Sequence, residues 1–185
     1  MAVKTLLTVE EFDRLPDEER RLYELVRGEL VPVFEAGMTA ARYGHNYVRD
    51  TIVEELRQYA RRRNAGRAVA EQDFRLTPET VRRPDAAFLR AERVARIDPE
   101  TSIIDGAPDL AVEVVSDSDS AEALERKTDE HRAAGCEAVW LVYWRLKKIY
   151  VHTADGVREF RDDDALTGAP LLPGFSVPLS RIFEL

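Results

Sequence analysis

The feature that most constrains the fold is a pair of short apolar runs separated by one helix-like segment. Residues 110–115 and 138–143 are almost continuously apolar, as expected for central strands buried on both faces. The segment between them has a helix-capping residue at Ser120 and a helix-ending glycine at Gly135. A strand, a helix and a second strand in this order predict a right-handed parallel crossover. We therefore expect an α/β protein.

The remaining pattern extends this unit into a central mixed β-sheet flanked by α-helices. Residues 67–76 and 85–89 have the character of two further strands of that sheet. Apolar residues recur at helical spacing from His45 to about Arg63. A length of 185 residues suits one core and is too short for two, so we expect a single domain over residues 1–185.

Two hairpins are expected at the edges of the sheet. Residues 24–34 read as two strands around a tight turn, and Pro32 favours an edge position. Residues 148–152 and 157–160 read as the second hairpin. Edges of this kind, together with exposed apolar side chains expected at Leu146, Ile149 and Tyr150, predict a homodimer.

Composition bears on compartment and on partners. The apolar run at the start of the chain is too short for a signal peptide. No apolar run in the sequence is long enough to span a bilayer. The single cysteine, Cys136, cannot form an internal disulfide and is expected to be a small buried side chain in a cytoplasmic protein. The net charge of −8 means that any surface for nucleic acid must be locally basic.

Two carboxylates carry the chemical prediction. Glu113 lies inside an apolar strand, where a charge costs several kcal/mol unless it is paired, neutralised or bound to a cation. Asp85 begins a neighbouring strand after Pro84. Together they offer the hard oxygen ligands that Mg²⁺ or Mn²⁺ prefers, and such an ion can activate water against a phosphate. The alternative is a buried salt bridge between Glu113 and an arginine.

Eight pieces of the chain, in their order and spacing, resemble the Uma-type family of the PD-(D/E)XK endonuclease-like superfamily. These pieces are residues 23–30, His45, Pro84-Asp85, residues 110–116, Lys127, Gly135, residues 139–142, and the ending formed by residues 172–175 with Ile182-Phe183. The resemblance covers nearly the whole chain. It implies a restriction-endonuclease-like fold and a Mg²⁺- or Mn²⁺-dependent nuclease that acts on DNA.

The resemblance also implies roles for particular residues. Asp85, Glu113 and the carbonyl of Val114 would bind the metal, Lys127 would be the catalytic lysine, and Glu24 would be an additional catalytic carboxylate. The superfamily lysine normally follows the acid by two residues, a position held here by Val115, so Lys127 matches the displaced lysine of this family.

Three departures from the family pattern change the surroundings of that set. The Ser-Pro-Ser turn is Ser116-Asp117-Ser118, the tyrosine of the following helix is His131, and the aspartate after residues 140–142 is Tyr143. A nuclease-fold protein without catalysis, serving as a binding or assembly module, is therefore the alternative. A hydrolase of smaller phosphoesters would share the same metal site.

Further residues are candidates for substrate contact. Arg82 and Arg83 lie beside Asp85 in the sequence and are expected to meet a substrate phosphate. His45 could bind phosphate or orient a water, or could be an ordinary surface residue of its helix. The chain has no Cys-x-x-Cys pair and no glycine-rich phosphate loop, which argues against a zinc site and a nucleotide-binding loop.

Overall fold

The structure is a computed structural model that describes residues 6–33, 42–117 and 119–185. In that part of the chain the helices are α1 (Val9–Asp13), α2 (Asp17–Arg20), α3 (Tyr43–Arg63), α4 (Ala91–Val94), α5 (Ala121–Ala133) and α6 (Leu179–Ile182). The strands are β1 (Tyr23–Val26), β2 (Glu29–Pro32), β3 (Gly66–Ala70), β4 (Asp73–Thr77), β5 (Thr80–Arg82), β6 (Ala86–Arg90), β7 (Ile103–Asp105), β8 (Leu110–Val114), β9 (Ala138–Tyr143), β10 (Lys148–Thr153), β11 (Gly156–Phe160), β12 (Ala165–Gly168) and β13 (Leu172–Pro178). No helix within these residues is long and apolar enough to cross a membrane.

The larger sheet has the strand order β11-β10-β9-β8-β6-β3. Its central pair, β8 and β9, is parallel, while β6 pairs with β8 in the antiparallel sense. The connection between the parallel strands is α5, which Ser120 caps by accepting a hydrogen bond from the backbone N–H of Ala123. Gly135 follows the helix in the left-handed conformation. The predicted parallel strand–helix–strand crossover is confirmed.

Helices pack on both faces of this sheet because its inner strands are apolar on both sides. Val48, Ile52 and Leu56 of α3 belong to the cluster that covers one face. Leu124 of α5 packs on the other face, in a cluster that includes Cys136. Burial raises the pKa of the Cys136 thiol to about 12, which confirms its expected role as a buried apolar side chain. The mixed α/β class is confirmed.

A second sheet, with the order β2-β1-β5-β4-β7, lies outside the expected arrangement. The prediction of one strand over residues 67–76 is wrong, because the chain leaves the larger sheet after β3 and enters the smaller one as β4. Glu71 lies at the break with a φ of +51°, which a continuous strand does not accommodate. The apolar alternation continues on both sides of Glu71, so it conceals the change of sheet.

Both expected hairpins are present. β1 and β2 pair around Arg27 and Gly28, and β2 forms an edge of its sheet as Pro32 predicts. The predicted end of this hairpin, Phe34, lies outside the described residues. β10 and β11 form the other hairpin.

The prediction that the apolar side chains around this second hairpin are exposed is only partly correct. Leu146 is 66% exposed, but Ile149 is fully buried. The expectation for Ile149 is wrong because this side chain faces the core under α3, between Val142 and Phe160 on the adjacent strands. Tyr150 is half-buried against Tyr143. The homodimer stays a prediction.

The start of β3 gives a first testable prediction. Gly66 has a φ of +145°, and a Cβ at this position would lie 1.9 Å from the carbonyl oxygen of Leu89. We expect Gly66→Ala to lower the free energy of unfolding by about 2 kcal/mol or more, because both the conformation and the contact oppose a side chain. Urea unfolding followed by circular dichroism measures this loss.

The matched control is Gly156→Ala in the β10–β11 turn. Gly156 has a φ of +122°, but a Cβ there would meet no atom within 4 Å. This variant reports the cost of the backbone conformation alone, on the order of 1 kcal/mol. Equal losses in the two variants would contradict a steric role for the Leu89 carbonyl.

Candidate active site

The pairing of β6 with β8 brings Asp85 and Glu113 together. Ala86 lies opposite Val112 in this antiparallel pair, so one residue further along, Asp85 lies opposite Glu113. Asp85 Oδ2 accepts a hydrogen bond of 2.7 Å from the backbone N–H of Val114. This bond fixes the Asp85 carboxylate at the end of β8, beside the second predicted ligand.

Glu113 points to the same face of the sheet as Ala111, the face that α5 covers. There its Oε2 atom lies 3.3 Å from Nζ of Lys127. Lys127 Nζ also lies 3.8 Å from Oε2 of Glu24, which reaches it from β1. The cation beside Glu113 is therefore Lys127 rather than the arginine considered as the alternative.

Lys127 is held in its charged form. Burial works against that charge, but the carboxylates of Glu113 and Glu24 outweigh burial and raise the pKa of Lys127 above its ordinary value. A lysine in this state acts as a fixed positive charge and does not accept a proton near neutral pH.

The second carboxylate oxygen of Glu113 has a different environment. Glu113 Oε1 is buried and has no hydrogen-bond partner among the described residues. Nε2 of His131 lies 3.7 Å away on a ring that is fully buried, and neither ring nitrogen has a hydrogen bond within the same part of the chain. His131 is not among the residues predicted for the site, although its place four residues after Lys127 puts both side chains on one helix face.

Arg82 lies in a buried charge cluster behind the site. Its guanidinium group is 2.8 Å from Oε2 of Glu24 and 2.6 Å from Oε2 of Glu130, and its side chain is 5% exposed. The prediction that Arg82 meets a substrate phosphate is wrong on this geometry, because both faces of the group are already taken by carboxylates. It neutralises Glu24 instead.

Arg83 has a structural partner as well. Its Nε and Nη2 atoms donate to the two oxygens of Asp73 at 2.8 and 2.9 Å, and Nη1 donates to the carbonyl of Arg21. The side chain is 9% exposed, although Arg83 lines the cavity described below. This pairing argues against the prediction that the guanidinium group of Arg83 is free to bind a substrate phosphate.

His45 lies at the start of α3 with its ring turned inward. Its Nε2 atom is 3.4 Å from Oδ1 of Asp85, and the residue is 8% exposed. Burial lowers the pKa of His45, but the hydrogen bond to Asp85 and the charge of that carboxylate outweigh burial and raise the pKa above the usual value. The alternative of an ordinary surface histidine is wrong.

These side chains open into one cavity of about 700 Å³. The predicted site residues that line it are Glu24, His45, Arg83, Asp85, Glu113, Val114 and Lys127. The predicted set is thus brought together in space with the exception of Arg82. Glu24, Lys127 and Glu113 come from two sheets and a helix, so the cavity lies where these three layers meet.

The donor set at this cavity fits a magnesium-type ion. Glu113 Oε1 is a buried oxygen without a hydrogen bond in the described residues, which is the state of a ligand awaiting a cation. Asp85 adds a second hard oxygen donor, and Val114 also lines the cavity. No three His, Cys, Asp or Glu side chains in residues 6–33, 42–117 and 119–185 converge to hold an ion by themselves. Mg²⁺ keeps several waters, so two carboxylates suffice.

Glu24 gives a prediction about acid stability. Burial alone would raise the pKa of Glu24, but the charges of Lys127 and Arg82 and the backbone N–H of Arg83 outweigh it and lower the pKa from 4.5 to about 2. The stability that this carboxylate contributes is present above pH 4.5 and is lost as the pH falls towards 2. We expect Glu24 to account for about 2 kcal/mol of the unfolding free energy lost between about pH 6 and pH 3.

Urea unfolding of Glu24→Gln at these two pH values measures this contribution. The variant is less stable than the wild type at the higher pH and loses correspondingly less on acidification. Glu122→Gln is the control, because Glu122 lies on α5 with its side chain 84% exposed. An equal acid loss in the wild type and in Glu24→Gln would contradict a depressed pKa at Glu24.

Comparison with known proteins agrees with this geometry. A search of curated proteins found no match. The crystal structure of a putative nuclease belonging to DUF820 from Anabaena variabilis superposes with a TM-score of 0.81 at 19% identity, covering 96% of this chain and 98% of that one. This likeness confirms the expected nuclease fold. The chain also matches the family model described as "Uma2: Putative restriction endonuclease" over residues 9–180. Because that match spans nearly the whole chain, this protein belongs to the Uma2 family.

Proposed function

We propose that this protein is a Mg²⁺- or Mn²⁺-dependent nuclease that hydrolyses phosphodiester bonds in DNA. The observation that carries the proposal is Oε1 of Glu113, a buried carboxylate oxygen without a hydrogen bond among the described residues, which lies beside Asp85 in a cavity that also holds a charged lysine. Membership of a family described as restriction endonucleases supports the same reaction class. The homodimer and the cytoplasmic location stay predictions.

Asp85, Glu113 and the carbonyl of Val114 are the proposed ligands of the ion. Once bound, the ion would supply Lewis-acid stabilisation of the phosphate and a more acidic water. Asp85 is oriented for this role by its bond from the Val114 N–H, and Glu113 by its contact with Lys127. The two carboxylates therefore enter the reaction with their side chains already positioned.

Lys127 has an electrostatic role in this proposal. Because Glu113 and Glu24 raise its pKa, it keeps its proton and cannot serve as the general base. A fixed ammonium group stabilises the negative charge that develops on the phosphate oxygens. Glu24 is the proposed supporting carboxylate: its Oε2 atom contacts Lys127 from the far side and also pairs with Arg82.

His45 is the proposed phosphate contact within the cavity. Its raised pKa favours the imidazolium form, which can donate to a phosphate oxygen. Arg83 remains a proposed part of the cavity wall that faces the substrate. Because it forms a bidentate bond with Asp73, it would position neighbouring groups rather than bind the substrate phosphate directly. The alternative function, a binding or assembly module on a nuclease fold, requires no metal at all.

Metal binding therefore tests the proposal first. We expect calorimetric titration of MnCl₂ into the wild type to show binding and a plasmid assay with the same ion to show cleavage. Both should be lost in Glu113→Gln, because the amide cannot neutralise the ion. Glu122→Gln makes the same chemical change at an exposed site and should behave as the wild type. A wild type that binds neither Mn²⁺ nor Mg²⁺ would favour the non-catalytic module.

Substitution of Lys127 distinguishes its role in metal binding from its role in cleavage. We expect Lys127→Met to bind Mn²⁺ at least as tightly as the wild type, because Glu113 loses its competing cation. Cleavage should fall by about 100-fold or more, since one preorganised charge at the phosphate is removed. Lys127→Arg keeps the charge and should retain more of the activity than Lys127→Met. Wild-type cleavage by Lys127→Met, with circular dichroism showing an intact fold, would exclude the electrostatic role.

A further inference from the structure

Two arginines meet one carboxylate at the mouth of the cavity. Arg145 holds Asp117 through both carboxylate oxygens, with Nε 3.0 Å from Oδ1 and Nη2 3.0 Å from Oδ2. Nη2 of Arg42 approaches the same Oδ2 at 3.5 Å. An oxyanion gripped by a guanidinium fork and a second guanidinium is the arrangement that also binds phosphate.

The two arginines are positioned by a contact between separate elements. Arg145 stacks on the ring of Trp144, with its guanidinium carbon 4.6 Å from the ring centroid. Trp144 in turn packs on Gly44 in the first turn of α3, where an added Cβ would lie 2.5 Å from the indole ring. Arg42 is the residue immediately before α3. The close approach at Gly44 thus brings Arg145 and Arg42 to the same point.

The side chains of Arg42 and Arg145 are much more accessible than that of Arg83, which also lines the cavity. The side chains of Arg42 and Arg145 are 62% and 47% exposed, whereas that of Arg83 is 9% exposed and is held by Asp73. Their counter-ion, Asp117, is itself 54% exposed. Ion pairs of this exposure are worth only about 0.2–1 kcal/mol, so an incoming anion can replace the carboxylate at small cost.

We propose that Arg42 and Arg145 form a subsite for a second backbone phosphate of the DNA strand, and that Asp117 occupies this subsite until the strand displaces it. The inference rests on the proposed function and specifies its substrate. A substrate that uses both the cavity and this subsite carries at least two phosphates, which is a property of a nucleic-acid strand and not of a small ester with a single phosphate. The subsite also supplies the local positive charge that a protein of net charge −8 needs near its substrate.

Fluorescence anisotropy with a short fluorescein-labelled DNA tests this subsite. The parent protein for the assay is Glu113→Gln, which the proposed function makes inactive in cleavage. Asp117→Asn is added to that parent, and we expect DNA binding to tighten about three- to ten-fold, because a competing and repelling carboxylate is removed. Asp155→Asn, in the exposed turn between β10 and β11, makes the same charge change and should shift the Kd by less than about two-fold.

The arginines supply the complementary variants. Arg42→Met or Arg145→Met should weaken binding and reduce the steepness of log Kd against log salt by about 0.7–0.9, the change for one lost phosphate contact. The tightening caused by Asp117→Asn should disappear when Arg145→Met is combined with it. A purely structural role for these residues would leave the salt dependence unchanged.

The outcomes separate the subsite from the proposed function. DNA binding that is equal in the parent and in Asp117→Asn overturns the subsite and leaves the nuclease proposal standing. Absence of DNA binding in every variant and in the metal-loaded wild type overturns the nucleic-acid substrate and the subsite together. Equal tightening by Asp117→Asn and Asp155→Asn would show a general charge effect and would also overturn the subsite.

Discussion

The buried chain of alternating charges between the two sheets is the interaction on which the rest of the structure depends. It runs through five side chains, in the order Glu130, Arg82, Glu24, Lys127 and Glu113. These residues belong to β1, β5, β8 and α5, so the chain of charges connects the smaller sheet, the helix and the larger sheet. An unpaired ion in such a position costs several kcal/mol, and each layer must therefore keep its place relative to the others. The contacts that define the fold here are the same contacts that define the site.

This chain of charges has a carboxylate oxygen without a hydrogen bond among the described residues at each end, Oε1 of Glu130 and Oε1 of Glu113. Lys127 satisfies Oε2 of Glu113, while Oε1 has no hydrogen bond in the described part of the chain. Glu113 lines the cavity and Glu130 does not, and a buried carboxylate oxygen beside a cavity favours a function that involves a cation. The same network fixes the charge of Lys127, because two carboxylates raise its pKa. In the proposed reaction, proton transfer must then involve another group. Lys127 contributes a positive electrostatic field and positions the Glu113 carboxylate.

Local sequence patterns predicted the parts of the fold that depend on local chemistry. The apolar runs and caps around α5 identify the crossover, and the charge within β8 identifies Glu113 before any contact is known. Long-range contacts were not predictable in this way. Arg82 meets Glu24 across 58 positions, and nothing near Arg82 in the sequence shows that its side chain turns away from substrate. The change of sheet at Glu71 could not be predicted, because apolar residues alternate on both sides of it. His131 was recoverable, since helical periodicity alone places it beside Lys127.

A net charge of −8 opposes the binding of DNA, the proposed substrate, but electrostatic screening limits this opposition to short distances. Charges are screened over about 8–10 Å, so the groups near the scissile phosphate matter more than the sum over the surface. Within the cavity, Asp85 and Glu113 repel phosphate unless an ion lies between them, and the ion then reverses the sign of the field. At the mouth, Arg42 and Arg145 would do the same once Asp117 is displaced. In the proposed function, the net negative charge opposes long-lived, non-specific contacts with DNA, because only a strand that reaches both points meets compensating positive charge.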